Sequence, residues 1–177
     1  ELSIAELQVG QEVEGRVVDH QLTGAFVDIG AGKDALVETE ELGEGLPMAK
    51  LKRGEIVRGR VLRVEDGKIW MTLRSGSLER QPNAFRGKVN DDQTVAAFEG
   101  IPSDRWLEAE VCGLVLKTGV KVRITAPGVD KPGLGFVPVG AFPEGFASTV
   151  AYGTKVKVRV LSPAKGFKRF DCSMKDP

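Results

Sequence analysis

The feature that most constrains this chain is a pattern written twice. In residues 11–74, Val13, Gly15 and Val17 alternate with Glu12, Glu14 and Arg16. Ala25, Val27 and Ile29 then alternate with Phe26 and Asp28, and Ala35-Leu36-Val37 opens a third stretch. Val57, Gly59 and Val61 share one face of 55–64, and Ile69, Met71 and Leu73 alternate with Lys68, Trp70, Thr72 and Arg74. About a hundred residues later the series recurs. Its members are Ala109, Val111 and Gly113; Val120, Val122 and Ile124; residues 133–138; Val156, Val158 and Val160; and Phe170, Cys172 and Met174. A period of two places alternate side chains on opposite faces, so each stretch reads as a short half-buried strand. The composition agrees, with 22 Val to fill pleated surfaces and 22 Gly to punctuate them. Glu65-Asp66-Gly67 is a hairpin signal between the last two strands of the first set.

Five short strands interrupted after the third are what a small Greek-key barrel needs, and closure removes the unpaired edges that such strands would leave exposed. The expected fold is all-β: two tandem five-stranded OB-fold barrels, over 8–75 and 104–176. The polar stretch 76–103 between them reads as a linker with one short helix. Residues 38–45, acidic and short, read as a helical turn and loop. The outer face around strands 2 and 3 of an OB barrel commonly takes oligonucleotides.

Several function classes are excluded or disfavoured. No apolar run approaches the roughly 18 residues of a membrane span. Cys112 and Cys172 stand too far apart for a CxxC metal pair and are too few for a disulfide framework, so both are expected to be buried. His20 is the only histidine and reads as a turn residue. Gly32-Lys33 fails as a phosphate loop, because Val27 stands where the first Gly belongs and Asp34 where Ser or Thr belongs. No pair of acids sits at a spacing that suggests acid–base catalysis. The expectation is therefore a non-enzyme with no cofactor and no metal. The net charge of zero conceals an asymmetry: residues 1–100 carry 13 Lys+Arg and 18 Asp+Glu, net −5, and residues 101–177 carry 12 and 7, net +5. A uniformly basic binder is excluded; a basic second half is not. Because the sequence opens at Glu1, it is expected to be a processed form or a fragment of a longer protein.

Residues 8–74 resemble a ribosomal protein S1 domain, the S1 RNA-binding motif. The resemblance rests on Val9-Gly10-Gln11-Glu12-Val13-Glu14-Gly15-Arg16-Val17, on Gly24-Ala25-Phe26-Val27-Asp28-Ile29-Gly30, on Ala35-Leu36-Val37, on Leu51-Lys52-Arg53-Gly54-Glu55-Ile56-Val57 and on Ile69-Trp70-Met71-Thr72-Leu73-Arg74. The second set resembles a divergent copy, through Gly119-Val120-Lys121-Val122-Arg123-Ile124, Gly135-Phe136-Val137-Pro138 and Asp171-Cys172-Ser173-Met174-Lys175. The resemblance implies an RNA-binding protein of translation, of bacterial cytoplasm or plastid stroma. Its partners would be single-stranded or ribosomal RNA, with the small ribosomal subunit or another translation or transcription assembly, and no membrane. RNA-binding members carry two aromatics on strand 2, a His after strand 3, an acid at the last hairpin and a base opening strand 5. Here those positions hold Thr23 and Phe26, Glu38, Glu65 and Lys68. In the second copy the aromatic positions hold Thr118 and Lys121, the His position Pro138, and the strand 5 base position Arg169. The alternative this leaves open is a protein-docking module with little RNA affinity of its own.

The candidate RNA-binding residues divide by chemistry. Phe26 and Trp70 point outward by alternation and are offered for base stacking. Lys33, Lys68 and Arg74 are offered for phosphate, with Lys68, Thr72 and Arg74 expected on the same outward row as Trp70. In the second half Lys121, Arg123, Lys155, Lys157, Arg159, Lys168 and Arg169 are expected as outward cations, a face that would meet phosphate.

Overall fold

The structure, a computed structural model, describes residues 2–82, 85, 88–163 and 169–177. The chain divides into two compact units, Glu1–Arg80 and Gln81–Pro177. Each contains one closed five-stranded barrel. The two barrels of OB type expected from the sequence are present.

In the first unit β1 (Glu12–Gln21), β2 (Gly24–Asp28), β3 (Ala35–Glu38), β4 (Ile56–Glu65) and β5 (Lys68–Thr72) close in the order β1-β2-β3-β5-β4. All neighbours are antiparallel except β3 and β5, which meet in parallel at Ala35↔Ile69 and Leu36↔Trp70. The alternation read from the sequence supplies the core: Val13, Val17, Ala25, Val27, Val37, Val61, Ile69 and Met71 are buried. The β4–β5 hairpin turns on Asp66 and Gly67, both at positive φ (52° and 72°). That is the primed turn an Asp-Gly pair favours.

So narrow a barrel leaves no room for a side chain at two inward positions. A Cβ on Gly15 of β1 would stand 2.5 Å from Val27 Cγ1 and 2.6 Å from the Asp28 carbonyl oxygen. A Cβ on Gly59 of β4 would collide with the Thr72 carbonyl oxygen. The missing side chains let β1 and β4 coil tightly across their neighbours. Gly59→Ala is therefore expected to destabilise the first barrel by about 1–3 kcal/mol, the range of an overpacked core. Urea unfolding followed by Trp70 fluorescence in a Trp106→Phe background checks it; an unchanged midpoint would refute the crowding argument.

The open end of β5 is closed by a buried polar contact. The 3-10 turn Thr39–Glu41 brings the carboxylate of Glu41, 5% exposed, against β5. It accepts from Thr72 Oγ1 (2.7 Å), Arg80 Nε (2.6 Å) and Arg80 Nη2 (2.7 Å). This corrects one expectation: Thr72 is not on an outward row but fully buried. The reason is that Glu41 roofs this end of the strand, its own carbonyl accepting from the Leu73 amide. Removing one partner of a buried ion pair leaves the other uncompensated. Arg80→Ala should cost roughly 3 kcal/mol, and Glu41→Gln in the same background should restore part of it. A double-mutant cycle on the unfolding free energy reads the coupling, and additive losses would rule it out.

In the second unit β6 (Leu107–Val115), β7 (Gly119–Thr125), β8 (Gly133–Pro138), β9 (Lys155–Pro163) and β10 (Phe170–Ser173) close as β10-β8-β7-β6-β9. The one parallel seam is again between third and fifth strands, at Gly135↔Phe170 and Phe136↔Asp171. A Cβ on Gly135 would lie 2.6 Å from Cys172 Sγ, so this barrel too has an inward position that admits only glycine, here at the seam itself. Residues between the barrels take part in it. The short helix α1 (Asp92–Phe98) is capped by Asp91, whose carboxylate accepts from the Thr94 amide, and it sets Phe98 against Phe170 with ring centroids 4.8 Å apart. Buried Asn90 accepts from the Leu134 amide (2.6 Å) and donates to the Leu134 carbonyl (2.9 Å), mimicking a neighbouring strand beside β8. Cys112 and Cys172 are buried, and desolvation pushes their thiols up to about 11 and about 12.

Candidate nucleic-acid interface

Register builds the outer face of the first barrel. Asp19 pairs with Phe26, Phe26 with Leu36, Leu36 with Trp70 and Trp70 with Arg63, giving one row across all five strands. Phe26, Leu36 and Trp70 are all half-buried, so each rests on the barrel and shows one side to solvent. Two β-bulges, between Val17 and Asp19 and between Val61 and Arg63, let the outer strands bend around this row. Phe26 thus stands where alternation placed it. Leu36 and Arg63 were not singled out in the sequence; only cross-strand register reveals them.

The guanidinium of Arg63 lies 3.9 Å from the Trp70 ring centroid and its Nε is 3.7 Å from Glu65 Oε2. Lys68 is exposed, two residues before Trp70 on the same face. Lys33 is exposed in the turn between β2 and β3. Arg74 is elsewhere. It lines a separate concavity with Glu12, Glu14, Arg58 and Arg60, and its carbonyl accepts from Arg60 Nη2 at 2.6 Å. The expectation that it shares a row with Trp70 fails because the burial of Thr72 ends that row.

Acids border the aromatic strip. Asp19 heads the row; hydrogen bonds from the Gln21 side chain and the His20 amide hold its carboxyl below the usual range, helped by Arg53 at 4.0 Å. Glu38 follows Leu36 on the same face of β3.

His20 is a structural residue: its Nδ1 accepts the Leu51 amide at 3.0 Å, tying the loop before β4 to the end of β1. Desolvation first, and then the charge of Lys50, lowers its pKa. A folded-state value below the ordinary ~6.5 means that the unfolded chain takes up the proton more readily. The stabilisation is complete above pH ~6.5 and is lost as the pH falls toward the folded-state value. His20→Asn retains an acceptor without the titration. It should flatten the dependence of the unfolding midpoint between pH 7 and pH 5, and an unchanged profile would refute the assignment.

The second barrel's cations are largely engaged. Arg123 Nη2 lies 3.0 Å and Lys155 Nζ 3.5 Å from Glu110 Oε2, and Lys157 Nζ is 3.9 Å from Glu108 Oε1. Arg123 also stands over the Phe85 ring at 5.3 Å. These are cross-strand neighbours: Glu110 pairs with Arg123 and Lys155, Glu108 with Lys157. Arg159 corrects a further expectation. It is buried, donating from Nε to the Lys175 carbonyl (2.8 Å) and from Nη1 to the Ser103 carbonyl (2.9 Å), so it clamps two chain segments instead of facing solvent. Arg169 is half-buried just before β10, Lys121 is half-buried on β7, and Lys168 lies outside the described residues.

Among the described residues no group of three or more His, Cys, Asp and Glu is placed to hold a metal ion. Nor, among those residues, is any helix long and apolar enough to cross a membrane.

Comparison with known proteins finds relatives and a family that parts of this chain resemble. Protein YhgF of Escherichia coli (strain K12) is 36% identical over 91 residues, which is 49% of this chain and 12% of that protein. The transcriptional accessory protein Tex of Neisseria gonorrhoeae is 35% identical over the same lengths. This chain therefore spans a small part of the relatives it matches. A crystal structure of a multidomain protein with nucleic acid binding domains from Streptococcus pneumoniae covers 96% of this chain and 54% of its own, at 21% identity and a TM-score of 0.41. Over residues 6–68, this chain matches the family described as the S1 RNA binding domain.

Proposed function

We propose that the chain binds single-stranded RNA through the outer face of its first barrel. The observation that carries this reading is the row Phe26–Leu36–Trp70, half-exposed and continuous across three strands; Phe26 and Leu36 lie within the segment that matches an RNA-binding family, and Trp70 follows two residues beyond it. Bases have a π-face whatever their identity, so an aromatic row takes them without strong sequence preference, at ~1–3 kcal/mol per stacked base. Arg63 stands over the Trp70 ring, Lys68 precedes Trp70 by two residues on the same face, and Lys33 is exposed in the turn between β2 and β3; phosphates would meet these cations. The second barrel would add phosphate contacts through Arg169, and through Lys121, Arg123 and Lys157 where they exchange their present partners for phosphate. The role is binding, with no reacting group assigned.

The process served is a finer matter. The family resemblance supports translation. The name of the Neisseria relative supports a transcription assembly, and the organisms of the relatives support a bacterial cytoplasm. A second reading, docking to a protein of such an assembly, is favoured by Asp19 and Glu38, whose charges border the aromatic row and repel phosphate.

Titration of a fluorescein-labelled 12-nucleotide oligo(U) at low and moderate salt separates the readings. Phe26→Ala should weaken binding about 5- to 30-fold, the effect of one lost stack. Lys68→Ala should lower the slope of log K against log salt by about 0.7. Absence of saturable binding by the unaltered chain at low salt would reject RNA binding in favour of docking.

A further inference from the structure

Register places a second row on the second barrel, in the same topological position as the first. Gly113 pairs with Lys121, Lys121 with Phe136, Phe136 with Asp171 and Asp171 with Ser162. The order of strands is that of the row Asp19–Phe26–Leu36–Trp70–Arg63, and a β-bulge again adjoins each end of it. Lys121 therefore occupies the place of Phe26, Phe136 that of Leu36 and Asp171 that of Trp70. The aromatic ring has moved one strand along.

Phe136 is half-buried. Its ring edge rests over Gly119, where a Cβ would stand 2.8 Å from Cζ. The backbone of β7 thus supports the ring from below at a site that tolerates no side chain. Lys121 is held in a similar way: its stem lies against Gly113, where a Cβ would stand 3.1 Å from Cδ. The glycine leaves room for that stem on the outer face of the barrel, with Phe136 on the strand at the other side of β7. Arg169 precedes Asp171 by two residues, as Lys68 precedes Trp70. One supported ring thus has Lys121 as its cross-strand neighbour and a second cation nearby.

We infer that Phe136, with Lys121 and Arg169, forms a single-nucleotide subsite on the second barrel, in which one base of a single-stranded RNA stacks on the ring and its flanking phosphates meet the two cations. This rests on the RNA-binding reading of the chain and extends it to a surface that the family match does not reach. The site takes one base where the first barrel's row has room for two, because Asp171 replaces the second aromatic. The carboxylate of Asp171 repels phosphate, so the strand runs along the Lys121 side of the ring. Stacking by a single supported aromatic beside cations is the general way in which single strands are held.

The test uses the full chain and the same oligo(U). Phe136→Leu retains an apolar side chain at a position that holds Leu36 in the first barrel, so the fold is expected to persist, as an unchanged urea midpoint would verify. The substitution should weaken binding about 5- to 30-fold, and Phe136→Tyr should remain within twofold of the unaltered chain. Lys121→Ala should lower the salt slope by about 0.7. In a Phe26→Ala/Trp70→Ala background, Phe136→Leu should remove most of the residual binding. If Phe26→Ala weakens binding while Phe136→Leu leaves it within twofold, RNA binding stands and the second subsite is overturned. If the unaltered chain does not bind, both fall.

Discussion

Each barrel depends on a parallel seam only two register positions long: Ala35↔Ile69 and Leu36↔Trp70 in the first, Gly135↔Phe170 and Phe136↔Asp171 in the second. Antiparallel hairpins alone would leave an open five-stranded sheet with two unpaired edges. The seam closes the sheet, and in doing so sets the third strand between the second and the fifth. Both outer rows exist only because of that closure, since Leu36 and Phe136 each bridge strands remote in sequence.

So short a contact is supported from outside. In the first barrel, buried Glu41 receives hydrogen bonds from Thr72 and Arg80 and roofs the end of β5. In the second, Asn90 pairs with Leu134 as a strand would, and Phe98 packs on Phe170. The two devices differ chemically, yet both fasten the neighbourhood of the third and fifth strands. Buried polar groups of this kind are costly unless every partner is in place, which makes them determinants of a single closed form.

Much of this was legible in the sequence. Alternation located eight of the ten described strands, the short stretches at 35–37 and 133–138 gave the other two, and Glu65-Asp66-Gly67 located a turn. The outward placement of Phe26 followed from the same period. Thr72, Arg74 and Arg159 were misplaced by it, because a strand's period says nothing about what packs over the outer face. Glu41 covers Thr72 from 31 positions away, and Arg159 reaches the carbonyl of Ser103 across 56. Leu36, Arg63 and Phe136 were passed over because a side chain gains its role from the residues opposite it on neighbouring strands. The basic rows of the second half were visible as charge, but their pairing with Glu108 and Glu110 was not.

By itself, then, the sequence determined the fold class, the duplication, the core and the strand faces, because these follow from a local period and from turn residues that act within a few positions. The tertiary structure decided which aromatics stand in a row, which cations remain at the surface and where the barrels are fastened. Those outcomes depend on register around a closed sheet and on hydrogen bonds to distant backbone, and no local pattern encodes either.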